Sequence, residues 1–378
     1  MKILIVIPSY KPAYVYGGPI YSVSRLAEAL VQRGNEVTVY TTNANGSDEL
    51  DIKTDFPFDI EGVTVYYFKR RSRGHSNFSP KLLFQLFRNL KTFDVIHIQS
   101  WWNLVTVPAA LICSIGGKTP MISPRGTLTV YTLTHKGHFL KSIFHKWIGT
   151  TLLKKSVLFF STLREWKEAS KLIEISKYYV IPNLLDLYPS TLPREHNEEC
   201  LQILFLGRID PAKNLELVFD ALKDDPGFKY QWTIAGEGHE SYLRECKEKT
   251  KDVSGIFWLG SIAGEAKFHL LANADVLVLP SHTENFGNVI IEALSQGTAV
   301  LMSRHVGIGD YVVSHRLGLF VDDNPESWKE ALRALAMDKS VLHDIRKRAP
   351  EIISRDFQPQ VIAEEYQKAY EEVLRHAY

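Results

Sequence analysis

Short apolar runs rich in Val, Ile and Leu alternate with segments of helical period along the whole of this chain. That alternation is the pattern of βαβ units wound around a parallel sheet. In the first half, residues 2–7 read as a buried strand, 20–32 as a helix closed by Gly34, and 36–42 as the next strand. Further strands are expected at 63–68, 94–98, 120–123, 157–161 and 178–181. A stretch rich in Pro, Asn and acidic residues follows, and then the pattern restarts. Its second round gives strands at 202–207, 230–235, 255–259, 276–279 and 299–302, a helix at 214–222, and helical sequence from Pro325 to the end.

At 378 residues the chain is too long for one ordinary hydrophobic core. The expected division is an N-terminal Rossmann-like domain over 1–185, a linker over 186–199, a C-terminal Rossmann-like domain over 200–355, and a terminal helix over 356–378 packing back toward the first domain. Two facing doubly wound domains would place their strand-end loops on either side of a cleft, where such sheets bind ligands.

The composition, 45% hydrophobic and 23% charged, excludes disordered and low-complexity classes. No apolar run reaches the ~18 residues of a spanning helix, and MKILIVIPSY is a short strand-like run rather than a signal peptide. The expected compartment is the cytoplasm. Cys113, Cys200 and Cys246 show neither metal-ligand spacing nor an obvious pairing, which fits a reducing environment. The net charge of +1 conceals an asymmetry: residues 1–185 hold 23 Lys and Arg against 12 Asp and Glu, whereas 186–378 hold 21 against 31. One reading is an anionic partner for the basic half, such as a membrane surface or a phosphate-bearing acceptor; the other is attraction between the two halves.

The segment LPSHTENFGNVIIEALSQGTAV carries the strongest chemical signal. A strand ends at Leu279, a loop carries Glu284, Asn285, Phe286 and Gly287, and a helix starting near Asn288 bears Glu292 about one turn in, with Gly297 closing it. Both carboxylates can then face one site, and the helix N-terminus offers N–H groups and partial positive charge to a diphosphate. Carboxylates accept hydrogen bonds from sugar and ribose hydroxyls. The E-x7-E spacing with its Phe-Gly resembles the GT4 family of retaining glycosyltransferases of GT-B fold. That resemblance implies that Glu284 contacts the donor sugar, Glu292 the ribose, and the backbone of 285–288 the sugar and diphosphate.

The segment FLGRIDPAKNLELVFDAL sets Arg208 and Lys213 on a strand-to-helix loop, with Asn214 placed to cap the helix. The resemblance implies that both cations bind the donor diphosphate and stabilise the leaving nucleotide. AGEG, containing Gly236 and Glu237, matches the family's turn near the nucleotide base, or is an ordinary βα turn. It is not a full G-x-G-x-x-G, so no nicotinamide site is read. In the first half, Gly17 and Gly18 precede a helix and by resemblance lie against the diphosphate, or make a tight turn.

In DVIHIQSWW, His97 and Gln99 point to one strand face. The family often has a second histidine where Gln99 stands, and His97 reads first as a satisfied core histidine. SPRG puts Arg125 at a strand end, to meet phosphate or acceptor or to form a structural ion pair. Apolar residues at 139, 140, 143, 144, 147, 148 and 152 make a helical stripe beside Lys141, Lys146, Lys154 and Lys155. With Arg70, Arg71 and Arg73 these cations are expected to dock on an anionic bilayer or simply to flank a core helix.

The resemblance as a whole implies a hexosyltransferase that uses a nucleotide sugar, probed first as UDP, and a glycan or lipid-linked glycan acceptor in polysaccharide biosynthesis. It implies retention of configuration with no cofactor and no metal; Asp-x-Asp is absent. No nucleic-acid partner is expected. The rival readings are a nucleotide-sugar epimerase or sugar phosphorylase on the same fold and a two-lobed sugar-binding protein without catalysis.

Overall fold

The computed structural model describes residues 1–72, 77–129, 149–189 and 199–375. The chain divides into two compact units, one made of Met1–Leu185 with Pro359–Tyr378 and the other of Asp186–Gln358.

The first unit contains β1 (Lys2–Val6), β2 (Glu36–Thr42), β3 (Ala44–Asn45), β4 (Asp48–Glu49), β5 (Pro57–Ile60), β6 (Val63–Phe68), β7 (Val95–Gln99), β8 (Met121–Ser123), β9 (Val157–Phe160) and β10 (Tyr178–Val180). Its main sheet runs in the order β10-β9-β8-β7-β1-β2-β6-β5, parallel throughout except for β5 against β6. Strand β1 is buried from Ile3 to Val6 because helices cover both faces, which is why it reads as an unbroken apolar run. Leu4, Val6, Ile96, Ile98, Leu82, Leu86 and Phe160 share one core cluster. The helix Pro359–Arg375 returns to this unit, where Gln367 accepts from Arg33 at 3.1 Å and Asn35 at 3.2 Å.

The second unit contains β11 (Leu201–Leu206), β12 (Tyr230–Ala235), β13 (Ile256–Gly260), β14 (Val276–Leu279), β15 (Ala299–Ser303) and β16 (Gly318–Val321). Their order is β13-β12-β11-β14-β15-β16, all parallel. Chain order reverses between β11 and β14, the position at which doubly wound sheets open a crevice at their strand ends. At the opposite edge of the strands, Asp275 accepts from Lys339 at 3.2 Å, Arg346 at 3.1 Å and the Gln202 amide at 3.0 Å. This buried carboxylate fastens the helix Ser340–Asp356 to the sheet.

Four short strands were not expected. Strands β3 and β4 make a two-residue ladder, β5 is an edge strand begun by Pro57, and β16 opens on a glycine. Among the described residues no helix is long and apolar enough to cross a membrane. Most of the apolar stripe expected over 139–153, Arg73, and most of the expected linker lie outside the described residues.

Candidate active site

The loop after β11 is shaped by its neighbour. Backbone bonds run from Gly207 N to Ala235 O at 3.0 Å and from Ile209 N to Glu237 O at 2.8 Å, so the 207–209 and 235–238 segments continue the ladder past the strands. A Cβ on Gly236 would fall 1.8 Å from Gly207 O, and one on Gly238 1.9 Å from Ile209 O. These glycines therefore serve the close backbone approach, while the exposed Glu237 projects between them. Further along, Asp210 accepts from Ala212 N at 3.0 Å and closes the 3-10 turn Pro211–Lys213. Asn214 does not cap the next helix: it sits in the left-handed region at φ 54°, without a side-chain capping bond, because the chain reverses there between the turn and Leu215.

The loop after β14 is tied on both sides. His282 N donates to Ala212 O at 2.9 Å, Glu284 N to His305 O at 3.2 Å, and Gly307 N to Glu284 O at 2.8 Å. Phe286 is buried, and Gly287 adopts φ 94°, a conformation suited to glycine. Asn288 then starts the helix Asn288–Ser295, whose N-cap Gly287 has no side chain to occupy the first N–H groups. The Ile290 amide donates to Gly287 O at 2.9 Å, and the helix start, with no side-chain cap, presents partial positive charge to an anion.

Across the reversal point, Lys213 Nζ and Glu284 form an ion pair, their side chains 18% and 19% exposed. Residues 71 positions apart thus meet between two adjacent strand ends. Arg208 instead projects outward, 66% exposed, with Asp210 4.0 Å away. Glu292 pairs with Lys267 at 2.7 Å, a partner the sequence reading missed because nothing in the spacing of 267 and 292 signals it. Asn285 and Asn288 are half-buried in the same loop and helix start. Two lysines, an arginine, two carboxylates and a helix tip therefore cluster on adjacent elements of one unit. Such a set can neutralise a diphosphate and accept from vicinal hydroxyls. Among the described residues no group of three His, Cys, Asp or Glu side chains is placed to hold a metal ion.

The first unit holds the remaining expected residues. Gly17 has φ 71° and precedes the helix Gly18–Gln32, with no atom within 4 Å of a Cβ placed there, so conformation rather than crowding favours glycine. His97 is wholly enclosed: Nδ1 lies 2.7 Å from Tyr370 Oη and Nε2 2.9 Å from Ser123 Oγ. Burial, reinforced by the charge of Arg125, holds its pKa well below the usual imidazole value. With both nitrogens engaged, His97 is a satisfied core histidine. Gln99, also buried, accepts from Arg125 Nε at 3.0 Å, and the Arg125 Nη1 donates to Asn183. Among the described residues no carboxylate forms an ion pair with Arg125; its side-chain partners are the neutral amide oxygens of Gln99 and Asn183 and the Tyr366 hydroxyl, rather than the acid expected for a structural pair.

Arg70 corrects another expectation. It is buried, donating to the carbonyls of Ser47 and Asp48 at 2.7 Å each and of Gly46 at 3.1 Å, and is committed to the β3–β4 turn rather than to a basic surface.

Residues 193–352 match the family described as glycosyl transferases group 1, and residues 16–188 match Glycosyltransferase Family 4. Glycogen synthase of Mycobacterium tuberculosis is 24% identical over 408 residues, covering 96% of this chain and 92% of its own length. The structure of sucrose-phosphate synthase from Thermosynechococcus elongatus superposes with a TM-score of 0.77 at 17% identity, covering 100% of both chains. Anabaena HepE in complex with UDP-glucose superposes with a TM-score of 0.73 at 17% identity, covering 98% of this chain and 100% of its own. This chain joins a Glycosyltransferase Family 4 domain to a glycosyl transferases group 1 domain and is a glycosyltransferase of the GT-B type.

Proposed function

We propose that the protein transfers a hexose from a UDP-sugar to a glycan or lipid-linked glycan acceptor, with retention of configuration and without a metal ion, in polysaccharide biosynthesis at the cytoplasmic face of a membrane. The observation that carries this reading is the Lys213–Glu284 pair at the strand-order reversal of the second sheet, beside an uncapped helix N-terminus. The UDP-glucose held by the structurally similar HepE supports the choice of nucleotide.

In this reading the donor diphosphate takes Lys213 from Glu284 and draws in Arg208, and the amides of Asn288 and Val289 complete its cradle. Glu284, released, accepts from hydroxyls of the sugar, and Glu292 accepts from the ribose. Asn285, Phe286, Gly287 and Asn288 line the sugar and diphosphate, with Gly236 and Glu237 toward the base. Gly17 and Gly18 meet the diphosphate, and Arg125 with Gln99 serves the acceptor. The bond from the anomeric carbon to the UDP oxygen breaks while that oxygen gains charge, which fixed cations and amides stabilise without reorganising. The acceptor hydroxyl attacks on the same face and passes its proton to the departing phosphate oxygen.

Incubation with radiolabelled UDP-glucose, with and without a lipid-linked glycan, tests the proposal. Label in the glycan only when acceptor is present is expected. Internal conversion to another nucleotide sugar, or binding of UDP-glucose with no turnover, would identify an epimerase or a binding protein instead.

A further inference from the structure

The helices Pro80–Asn89 and Thr106–Ile115 pack side by side over the first unit's sheet, and their inward residues, among them Leu82, Leu86, Ala109 and Cys113, enter its core. Their outer faces are also apolar. Phe84 is 58% exposed, Phe87 62% and Ile115 74%, and Leu111 lies one turn before Ile115. The two ends are locked together: a Cβ on Gly116 would fall 1.9 Å from Leu90 Cδ2, and Lys118 Nζ donates to Phe93 O at 2.8 Å. Exposed phenylalanines on one helix beside exposed Leu111 and Ile115 on its neighbour cost solvation, and a soluble surface gains nothing from them.

The charge carried by the two helices themselves has one sign, with Lys81 at the start of the first paired to Asp55 at 2.7 Å. Neither helix contains an acid, and Arg88 stands over the Phe84 ring at 5.8 Å. Among the described residues neither Arg88 nor Lys91 pairs with a carboxylate. Asp94, the acid nearest to them in sequence, is occupied by the Lys2 amide at 2.7 Å. Cations framing exposed aromatic and aliphatic side chains on a helical face fit the boundary between anionic headgroups and acyl chains: the rings enter the apolar side while the cations stay among the phosphates.

We infer that the face formed by Phe84, Phe87, Arg88, Lys91, Leu111 and Ile115 seats the protein on an anionic bilayer. The inference does not depend on the proposed transfer reaction. This face differs from the basic patch read in the sequence, since Arg70 is buried and most of the helical stripe expected over 139–153 lies outside the described residues.

Cosedimentation of the full chain with phosphatidylcholine vesicles, with and without about a third phosphatidylglycerol, tests this. Binding to the anionic vesicles alone, weakened by salt, is expected. The double variant R88Q/K91Q should bind about 25-fold more weakly, at about 5-fold per cation, and F84S/F87S at least tenfold more weakly. All four positions are exposed, so melting temperature and UDP binding should match the unaltered chain and exclude misfolding as the cause. Equal sedimentation of the variants and the parent would overturn the inference. So would absence of vesicle binding by the parent, or a dimer that F84S/F87S converts to a monomer, which would make this face a contact between copies of the chain.

Discussion

Lys213 and Glu284 neutralise each other before donor binds, so their separate replacement should have opposite effects on nucleotide affinity. Each side chain is about four-fifths covered, and the pair lies at a strand-end loop rather than in the interior. Two unit charges in close contact at an effective dielectric near 20 attract by about 4 kcal/mol. Lost side-chain freedom and desolvation reduce this to about 1 kcal/mol net. A diphosphate must displace Glu284 to reach Lys213, so Glu284→Gln removes that competition and should tighten UDP about fivefold. The same variant should lower transfer by about 10- to 100-fold, because a charge-assisted bond to the sugar is worth about 1.5–3 kcal/mol. Lys213→Ala should weaken UDP by about 10- to 100-fold and slow transfer by about 100- to 1000-fold through loss of a donor to the developing charge. Titration calorimetry with UDP and a radiolabel transfer assay give both numbers. If Glu284→Gln weakened UDP as much as Lys213→Ala does, the pair would be a structural clamp and the competition described above would not exist.

Further perturbations test the framework that holds the site. Gly236→Ala puts a methyl 1.8 Å from Gly207 O at φ 147° and should destabilise the second unit by about 3 kcal/mol or more, seen as a lower melting temperature. Asp275→Ala strands the cations of Lys339 and Arg346 and should cost about 3 kcal/mol in urea unfolding, whereas replacement of exposed Glu326 should change little. The folded pKa of His97 lies well below the usual value. Below pH ~6.5 the unfolded chain therefore binds a proton that the folded one refuses, and stability falls with pH by up to about 1.4 kcal/mol per unit. His97→Gln should flatten that slope in unfolding midpoints measured across pH 5 to 8, even if it lowers stability throughout.

The central strands were legible because a parallel strand covered on both faces is an unbroken apolar run, as in β1, β11 and β14. The edges were not. Strand β5 begins with a proline and contains Asp59, and β16 is four residues opening on a glycine whose Cβ would meet Val300 O at 2.3 Å. The segments carrying Lys213 and Glu284 could be placed on strand-end loops from sequence, yet their adjacency depends on β14 inserting beside β11, a topological fact. Capping was misread at Asn214 because residue type alone cannot reveal a left-handed backbone, and the Asp210 side chain does the capping one turn earlier. Arg70 looked like surface charge until the β3–β4 turn, too short to signal itself, supplied three carbonyls for its guanidinium. Lys267 became visible as the partner of Glu292 only when the helices Gly264–Asn273 and Asn288–Ser295 were seen to pack together.

A crystal structure of the protein soaked with UDP-glucose examines the donor site without reliance on the acceptor. The nucleotide should lie at the carboxyl ends of β11 and β14, its phosphates within hydrogen-bonding reach of Lys213 Nζ, Arg208 and the first amides of Asn288–Ser295, with Glu284 turned from Lys213 to the glucose hydroxyls. Density for UDP-glucose at any other place, or phosphates bound there while Lys213 stays paired to Glu284, would contradict the account.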